Sequence, residues 1–216
     1  ESFFQGHYSF LEQPQKDAPE DFYLITGIWR QDVPGMEPGI LQDGSHFSSP
    51  LASGINQSLG RFLGQKRYIE ILDNIEAYHY FPLAIAKKGK VREGTIRVAV
   101  KPMSGVIDQA GGLAFAIRDW ANYFVLRINA LEHNAVLFEF KNGKRLLRAQ
   151  VDVPINTSQW YNLAVAISGN FIKAFLEDRQ LLGYEADRDL QGYVGLWTKA
   201  DSVTMFKDLN VQQALS

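Results

Sequence analysis

The chain has 216 residues, 46% hydrophobic and 21% charged, an ordinary globular composition at a length that builds a core without covalent staples. Its formal net charge of −2 offers no basic excess to neutralise phosphates, which excludes nucleic acid as an expected partner. Cysteine is absent, which removes disulfides, thiolate zinc sites and thiol nucleophiles together.

No apolar run is long enough for a membrane helix. No secretory leader is visible, although a mature exported chain would already have lost one. The expected organisation is a single domain over residues 1–216, with an irregular part at 22–93 and a sandwich core at 94–211.

In chain order, 22–29 reads as a strand entering the domain. Residues 37–59 are rich in Gly, Ser and Pro and read as a long surface loop. Residues 67–77 fit a short helix or a strand equally, and 79–86 reads as a strand. From 94 onward the pattern becomes regular. Ile96, Val98 and Val100 alternate with Thr95, Arg97 and Ala99, and Leu113, Phe115 and Ile117 alternate with Ala114, Ala116 and Arg118. Phe124, Leu126 and Ile128 alternate in the same way with Val125, Arg127 and Asn129. Period-2 alternation marks strands with one core face.

The turns agree. Asn142-Gly143 sits between two apolar runs, which is a strong hairpin signal. Ser168-Gly169-Asn170 and Glu177-Asp178-Arg179 separate further strands, and Gly192 opens another at 193–198. A last strand is expected near 203–211. Strands at roughly ten-residue spacing with such turns predict an all-β fold, a sandwich or a barrel.

The non-core face of several strands carries Gly112, Ala114, Ala116, Ala164, Ala166 and Gly195. A solvated face normally carries longer polar residues, so small residues suggest a surface that something approaches closely. Arg118, Arg127, Trp197 and Lys199 share that parity. Either a ligand uses this face, or the N-terminal segment folds over it.

Three stretches carry a family resemblance. They are Lys101-Pro102-Met103-Ser104-Gly105 with Asp108-Gln109-Ala110-Gly111-Gly112-Leu113, then Arg118-Asp119 through Arg127-Ile128-Asn129-Ala130-Leu131-Glu132-His133-Asn134, and Gly195-Leu196-Trp197-Thr198-Lys199-Ala200-Asp201-Ser202. Together they resemble bacterial proteins of the concanavalin A-like lectin/glucanase superfamily, in its laminin-G-like, 3-keto-disaccharide-hydrolase-like group. The resemblance implies a jelly roll of two curved sheets, one of which commonly holds saccharides. The chain departs from the group at Phe206-Lys207-Asp208, where relatives tend to have Phe-Asp-Asp. It departs again at Ala116-Ile117-Arg118, where a bulkier and more polar strand is usual.

Glu70, Asp73 and Glu76 are spaced Glu-x-x-Asp-x-x-Glu. On a strand that puts Glu70 and Asp73 on opposite faces, so this is not the same-face acid pair a retaining glucanase needs. The densest polar cluster is Arg127, Asn129, Glu132 and Asn134. Such side chains offer the paired donors and acceptors that grip vicinal hydroxyls. The same residues also suit an internal brace, with Arg127 and Glu132 paired. Trp197 can stack on a sugar ring with Lys199 and Asp201 bonding its hydroxyls, or it can be a core residue beside a surface ion pair. Trp120 is expected at an exposed hairpin tip, on the rim.

His7, His46, His79 and His133 are scattered, against a zinc site. No cofactor is expected unless it is a structural calcium ion, which needs six or more oxygens. Asp108 and Asp208 are its first candidates, with Asp187 and Asp189 as others. No Gly-x-Ser-x-Gly elbow or phosphate loop occurs.

The expected function is non-catalytic recognition of a saccharide by an exported bacterial protein, periplasmic or extracellular. The ligand would lie against Arg118, Arg127, Asn129, Glu132, Asn134, Trp197 and Lys199. One alternative is a glycoside hydrolase acting on a (keto)saccharide, with Glu132 or Asp201 as acid or base. The other is a structural or protein-interaction module whose N-terminal segment covers the face.

Overall fold

The computed structural model describes residues 17–47 and 81–214. They form two antiparallel seven-stranded sheets. The strands are β1 (Phe22–Thr26), β2 (Trp29–Gln31), β3 (Ile40–Asp43), β4 (Leu83–Ala86), β5 (Gly94–Ser104), β6 (Ala110–Asp119), β7 (Asn122–Asn129), β8 (Asn134–Lys141), β9 (Lys144–Asp152), β10 (Tyr161–Ser168), β11 (Phe171–Leu176), β12 (Arg179–Glu185), β13 (Tyr193–Thr198) and β14 (Val203–Gln213). One sheet has the order β1-β4-β13-β6-β7-β8-β9 and the other β12-β11-β10-β5-β14-β3-β2. No helix occurs among the described residues, and so none long and apolar enough to cross a membrane.

The expected strands from 94 onward are present. Asn142 and Gly143 both take positive φ (53° and 76°), the backbone of the two-residue hairpin turn that matches strand twist. Two N-terminal expectations are corrected. The strand read at 22–29 is two strands in different sheets, parted at Gly27 (φ 93°). The loop read at 37–59 contains β3, which pairs with β14 from Val203↔Asp43 to Phe206↔Ile40. Residues 67–77, with Glu70, Asp73 and Glu76, lie outside the described residues.

Between the sheets lies an apolar core that includes Leu113, Phe115, Phe124, Leu126, Val165 and Phe206. Phe115 and Phe124 stack with centroids 5.7 Å apart. At about 25 cal/mol per Å² of buried apolar surface, this layer is the main favourable contribution to folding. Buried hydroxyls and one amide tie the sheets together at one end. Thr198 Oγ1 donates to Gln42 Oε1 (2.6 Å), Thr204 Oγ1 donates to the Ala110 carbonyl (2.9 Å), and the Ala110 amide donates to Ser202 Oγ (3.0 Å).

The opposite face of the first sheet is buried too. Leu83, Ile85, Ala114, Val125, Val136 and Trp197 belong to a second apolar cluster there. This second face holds the candidate site.

Candidate ligand-binding site

The site begins at the ends of β6, β7, β8 and β13. Register sets Asn129 opposite Asn134 across the β7–β8 turn and Arg127 opposite Gly112 on β6. Gly112 is small for a reason. A Cβ there would lie 3.0 Å from Arg127 Cβ and 2.8 Å from the Leu126 carbonyl oxygen. The glycine lets the arginine side chain lie close against the sheet.

Six polar side chains meet at this end. Arg127 donates to Asn134 Oδ1 (2.8 Å) and to Glu132 Oε2 (2.6 Å). Asn134 Nδ2 donates to the same Glu132 oxygen (3.1 Å). Asn129 Oδ1 accepts from the amides of Leu131 and Glu132, while its Nδ2 donates to Asp108 Oδ1 (2.9 Å). Lys199 Nζ lies 3.1 Å from Asp108 Oδ2, and both side chains are only 2% exposed. Glu132 is the member that reaches solvent, at 38% exposure. Arg127 Nε is buried without a hydrogen-bond partner.

These environments push the two acids in opposite directions. Burial, only partly offset by the charges of Lys199 and Arg127, holds the Asp108 carboxyl above its ordinary range. Burial also acts on Glu132, but the Arg127 charge and the hydrogen bonds from Arg127 and Asn134 outweigh it and hold that carboxyl below its ordinary range. Burial lowers the Lys199 ammonium against the pull of Asp108. Two nearby carboxyls held apart in this way can divide the roles of proton donor and acceptor.

The other expected residues sit elsewhere or differently. Trp197 is fully buried, and Phe81 stacks on it with centroids 5.4 Å apart, so the ring face expected to meet a sugar is occupied. Lys199 pairs with Asp108 and not with Asp201. Asp201 instead accepts from the amides of Val106 (2.6 Å), Ile107 (3.0 Å) and Asp108 (2.9 Å). It is an anchor that fixes the loop carrying Asp108.

Arg118 does not join Arg127. The β6–β7 ladder shifts register between Phe115 and Asp119, and Ala116 there takes φ 49°. This bulge turns Ala116 into the core and Ile117 onto the second face, so the parity on which Arg118 was placed fails. Arg118 is exposed and donates to the Asp189 carbonyl (2.9 Å). It lies six residues from Gly112, roughly 20 Å along the strand. Trp120, 40% exposed, is at the same far end, beside a shallow hollow lined by Thr26, Phe81 and Tyr123. Ala164 and Ala166 lie in the other sheet. The expected small-residue surface is therefore three buried positions, Gly112, Ala114 and Gly195, on one face.

The four calcium candidates are not brought together. Asp108 is bound by Lys199 and Asn129, Asp187 pairs with Lys141 (3.1 Å), and Asp189 Oδ1 accepts from the Gln191 amide. Asp208 stands on a separate bulge in β14. Among the described residues no three of His, Cys, Asp and Glu come together as metal ligands. His133, with φ 50°, is engaged through Nδ1 with the Ile155 carbonyl (3.0 Å).

Two features went unread in the sequence. Arg145 stacks over Phe138 (4.5 Å to centroid) and Phe81 (5.4 Å), and burial pushes its guanidinium down to about 10. Glu139 is buried between the sheets, held by Arg148 (2.6 Å) and Arg188 (3.2 Å). Its signal was available, because Glu139 shares the parity of Leu137, a core residue.

No family model matches the chain, and no curated protein matches it in sequence. Solved structures do match. A carbohydrate-binding module, CBM66 of Bacillus subtilis, is 16% identical over 91% of this chain and 98% of that one, with TM-score 0.63. A galectin of Caenorhabditis elegans is 13% identical over 58% of this chain and 86% of that one, with TM-score 0.46. A β-glucanase of Bacillus licheniformis is 13% identical over 58% and 67%, with TM-score 0.44. At such identities the likeness is one of fold, and the chain has the all-β, concanavalin A-like jelly-roll architecture.

Proposed function

We propose that this chain recognises a saccharide, without cleaving it, at the polar end of the second face around Arg127, Asn129, Glu132 and Asn134. The observation that carries this reading is the buried cluster itself. Burying Asp108, Lys199 and Arg127 gains no stability over apolar side chains of similar volume, so the fold alone does not call for them. The groups present, a guanidinium, two amides and a carboxylate, are of the kind that bonds vicinal hydroxyls; Glu132 reaches solvent, whereas Arg127, Asn129 and Asn134 are buried and bonded within the cluster, as an internal brace also requires. The jelly-roll neighbour that is a carbohydrate-binding module supports the ligand class by analogy of fold. On this reading the chain works outside the cytoplasm, where polysaccharides are met.

One observation favours a second reading, glycoside cleavage. Asp108 and Glu132 are pushed to opposite sides of the carboxylate range within one cluster.

Calorimetric titration with a panel of mono- and oligosaccharides tests both. One sugar class is expected to bind, and Glu132→Gln, folded by circular dichroism, to bind it at least tenfold more weakly. Absence of binding by every sugar, or a folded Glu132→Gln with unchanged affinity, rejects the site. Release of new reducing ends from the bound sugar decides for cleavage.

A further inference from the structure

Three large apolar side chains are turned to solvent at the end of the molecule where Glu132 reaches the surface. Val106 is 92% exposed and Ile107 41%, on the loop between β5 and β6. Leu131, 47% exposed, stands on the turn between β7 and β8, next to Glu132 in the chain. The two loops are bonded to each other. The Ala130 amide donates to the Gln109 carbonyl (3.1 Å), and Asn129 Nδ2 donates to Asp108 Oδ1 (2.9 Å). Apolar side chains exposed singly are ordinary on a protein surface, whereas several in one place mark a contact.

Neither loop is free to fold these side chains away. The two oxygens of Asp201 take up the amides of Val106, Ile107 and Asp108, and Gln109 Nε2 donates to the Gly105 carbonyl (3.0 Å). On the other loop Asn129 Oδ1 accepts from the amides of Leu131 (2.8 Å) and Glu132 (3.2 Å). Polar side chains thus hold the backbone, and aliphatic ones are presented. A surface ordered before it binds loses little conformational entropy on binding. The chemistry of the three side chains limits what they reward. An aromatic ring offers a flat apolar face, but Trp197 is covered by Phe81 and Trp120 is at the far end of β6. Branched aliphatic side chains have no such face. They reward burial of alkyl surface, by about fourfold in affinity for each methyl-sized group.

We propose that Val106, Ile107 and Leu131 select a saccharide that carries an alkyl or acyl substituent, with the substituent against these side chains and ring hydroxyls toward Glu132. The inference rests on the saccharide reading and names the class of sugar it would take. It uses the one member of the polar cluster that reaches solvent and the exposed side chains of the two loops, so every contact it calls for is at the surface.

The test titrates the whole chain with D-glucose and D-galactose, and with the N-acetyl-2-amino and 6-deoxy form of each. At least one substituted form is expected to bind about fourfold or more tightly than its plain sugar. The double variant Val106→Ser/Leu131→Ser, shown to be folded by its melting temperature, is expected to reduce that preference below about twofold. Val106→Ser alone serves should the pair fail to fold. Equal binding of plain and substituted sugars, with both weakened by Glu132→Gln, overturns this inference and leaves the saccharide reading standing. A folded variant that keeps the preference overturns it as well. So does failure of all these sugars to bind, and the wider panel named above then decides the reading itself.

Discussion

The first sheet buries carboxylates on both of its faces, and the two places are built differently. On the inner face Glu139 stands between Arg148 and Arg188, whose side chains remain 24% and 15% exposed. Arg148 lies over the Tyr184 ring (5.7 Å) and Arg188 over Phe124 (4.8 Å). Both guanidiniums reach from the core edge toward water, so one acid is held by cations that are only partly desolvated. On the second face Asp108 and Lys199 are both almost fully buried, and three further polar side chains, Asn129, Arg127 and Asn134, lead from them to Glu132 at the surface. The first arrangement closes the end of a sandwich. The second spends desolvation on a chain of donors and acceptors that leads from the interior to solvent.

The largest expected effect breaks the second arrangement. Lys199→Met leaves Asp108 without its cation and should cost about 3–5 kcal/mol in urea unfolding. The double variant Lys199→Met/Asp108→Leu should recover to within about 1 kcal/mol of the parent, or exceed it. If the double variant is as unstable as the single, the pair is needed by the fold and not by a ligand. At the first arrangement, Glu139→Gln should cost about 2 kcal/mol, the scale of lost charge-assisted hydrogen bonds, and leave saccharide binding unchanged. A change in binding there would erase the distinction drawn between the two faces.

The smallest effect is in pH dependence, and its sign differs within the second cluster. The folded Asp108 carboxyl keeps its proton above the ordinary value of 3.8. Stability therefore falls as pH rises from there through the raised value. Glu132 loses its proton more readily than in the unfolded chain. Its contribution is present above 4.5 and lost as pH falls through the lowered value. Urea unfolding from pH 3 upward should show Asp108→Asn removing the first slope and Glu132→Gln removing the second. Identical profiles in parent and variants would mean that the environments of these acids are not as described.

Much of the fold was legible because alternation and turn chemistry are local. Leu113, Phe124 and Leu126 face the core as their parity predicts, and Asn142-Gly143 makes its hairpin. Legibility failed where a bulge intervened. Ala116 reverses parity inside β6, and nothing in Ala114-Phe115-Ala116-Ile117 announces it. It failed again at β3, whose four residues gain strand structure from β14, about 160 positions later, rather than from their own propensity. At the site, Arg127, Glu132 and Asn134 are near neighbours in sequence and were read together. Asp108 and Lys199 are 91 positions apart, and only the pairing of β6 with β13 brings them into contact. Lys199 and Asp201, two positions apart, take different partners, Asp108 and the amides of 106–108, because neighbouring loop residues need not point the same way.

One feature of the topology bears on how the chain is made. β14, the last strand, is not an edge. It lies between β5 and β3, paired with β5 from Val203 to Gln213 and with β3 from Val203 to Phe206. Until residues 203–213 emerge from the ribosome, β5 and β3 each present an unsatisfied edge, and neither can be closed by anything synthesised earlier. The nascent chain thus carries two open templates for strand addition through most of its synthesis, a state prone to mispairing with other chains. The β3–β14 pairing joins residues about 160 positions apart, a separation that slows folding and makes the strand at 203–213 the keystone of this sheet.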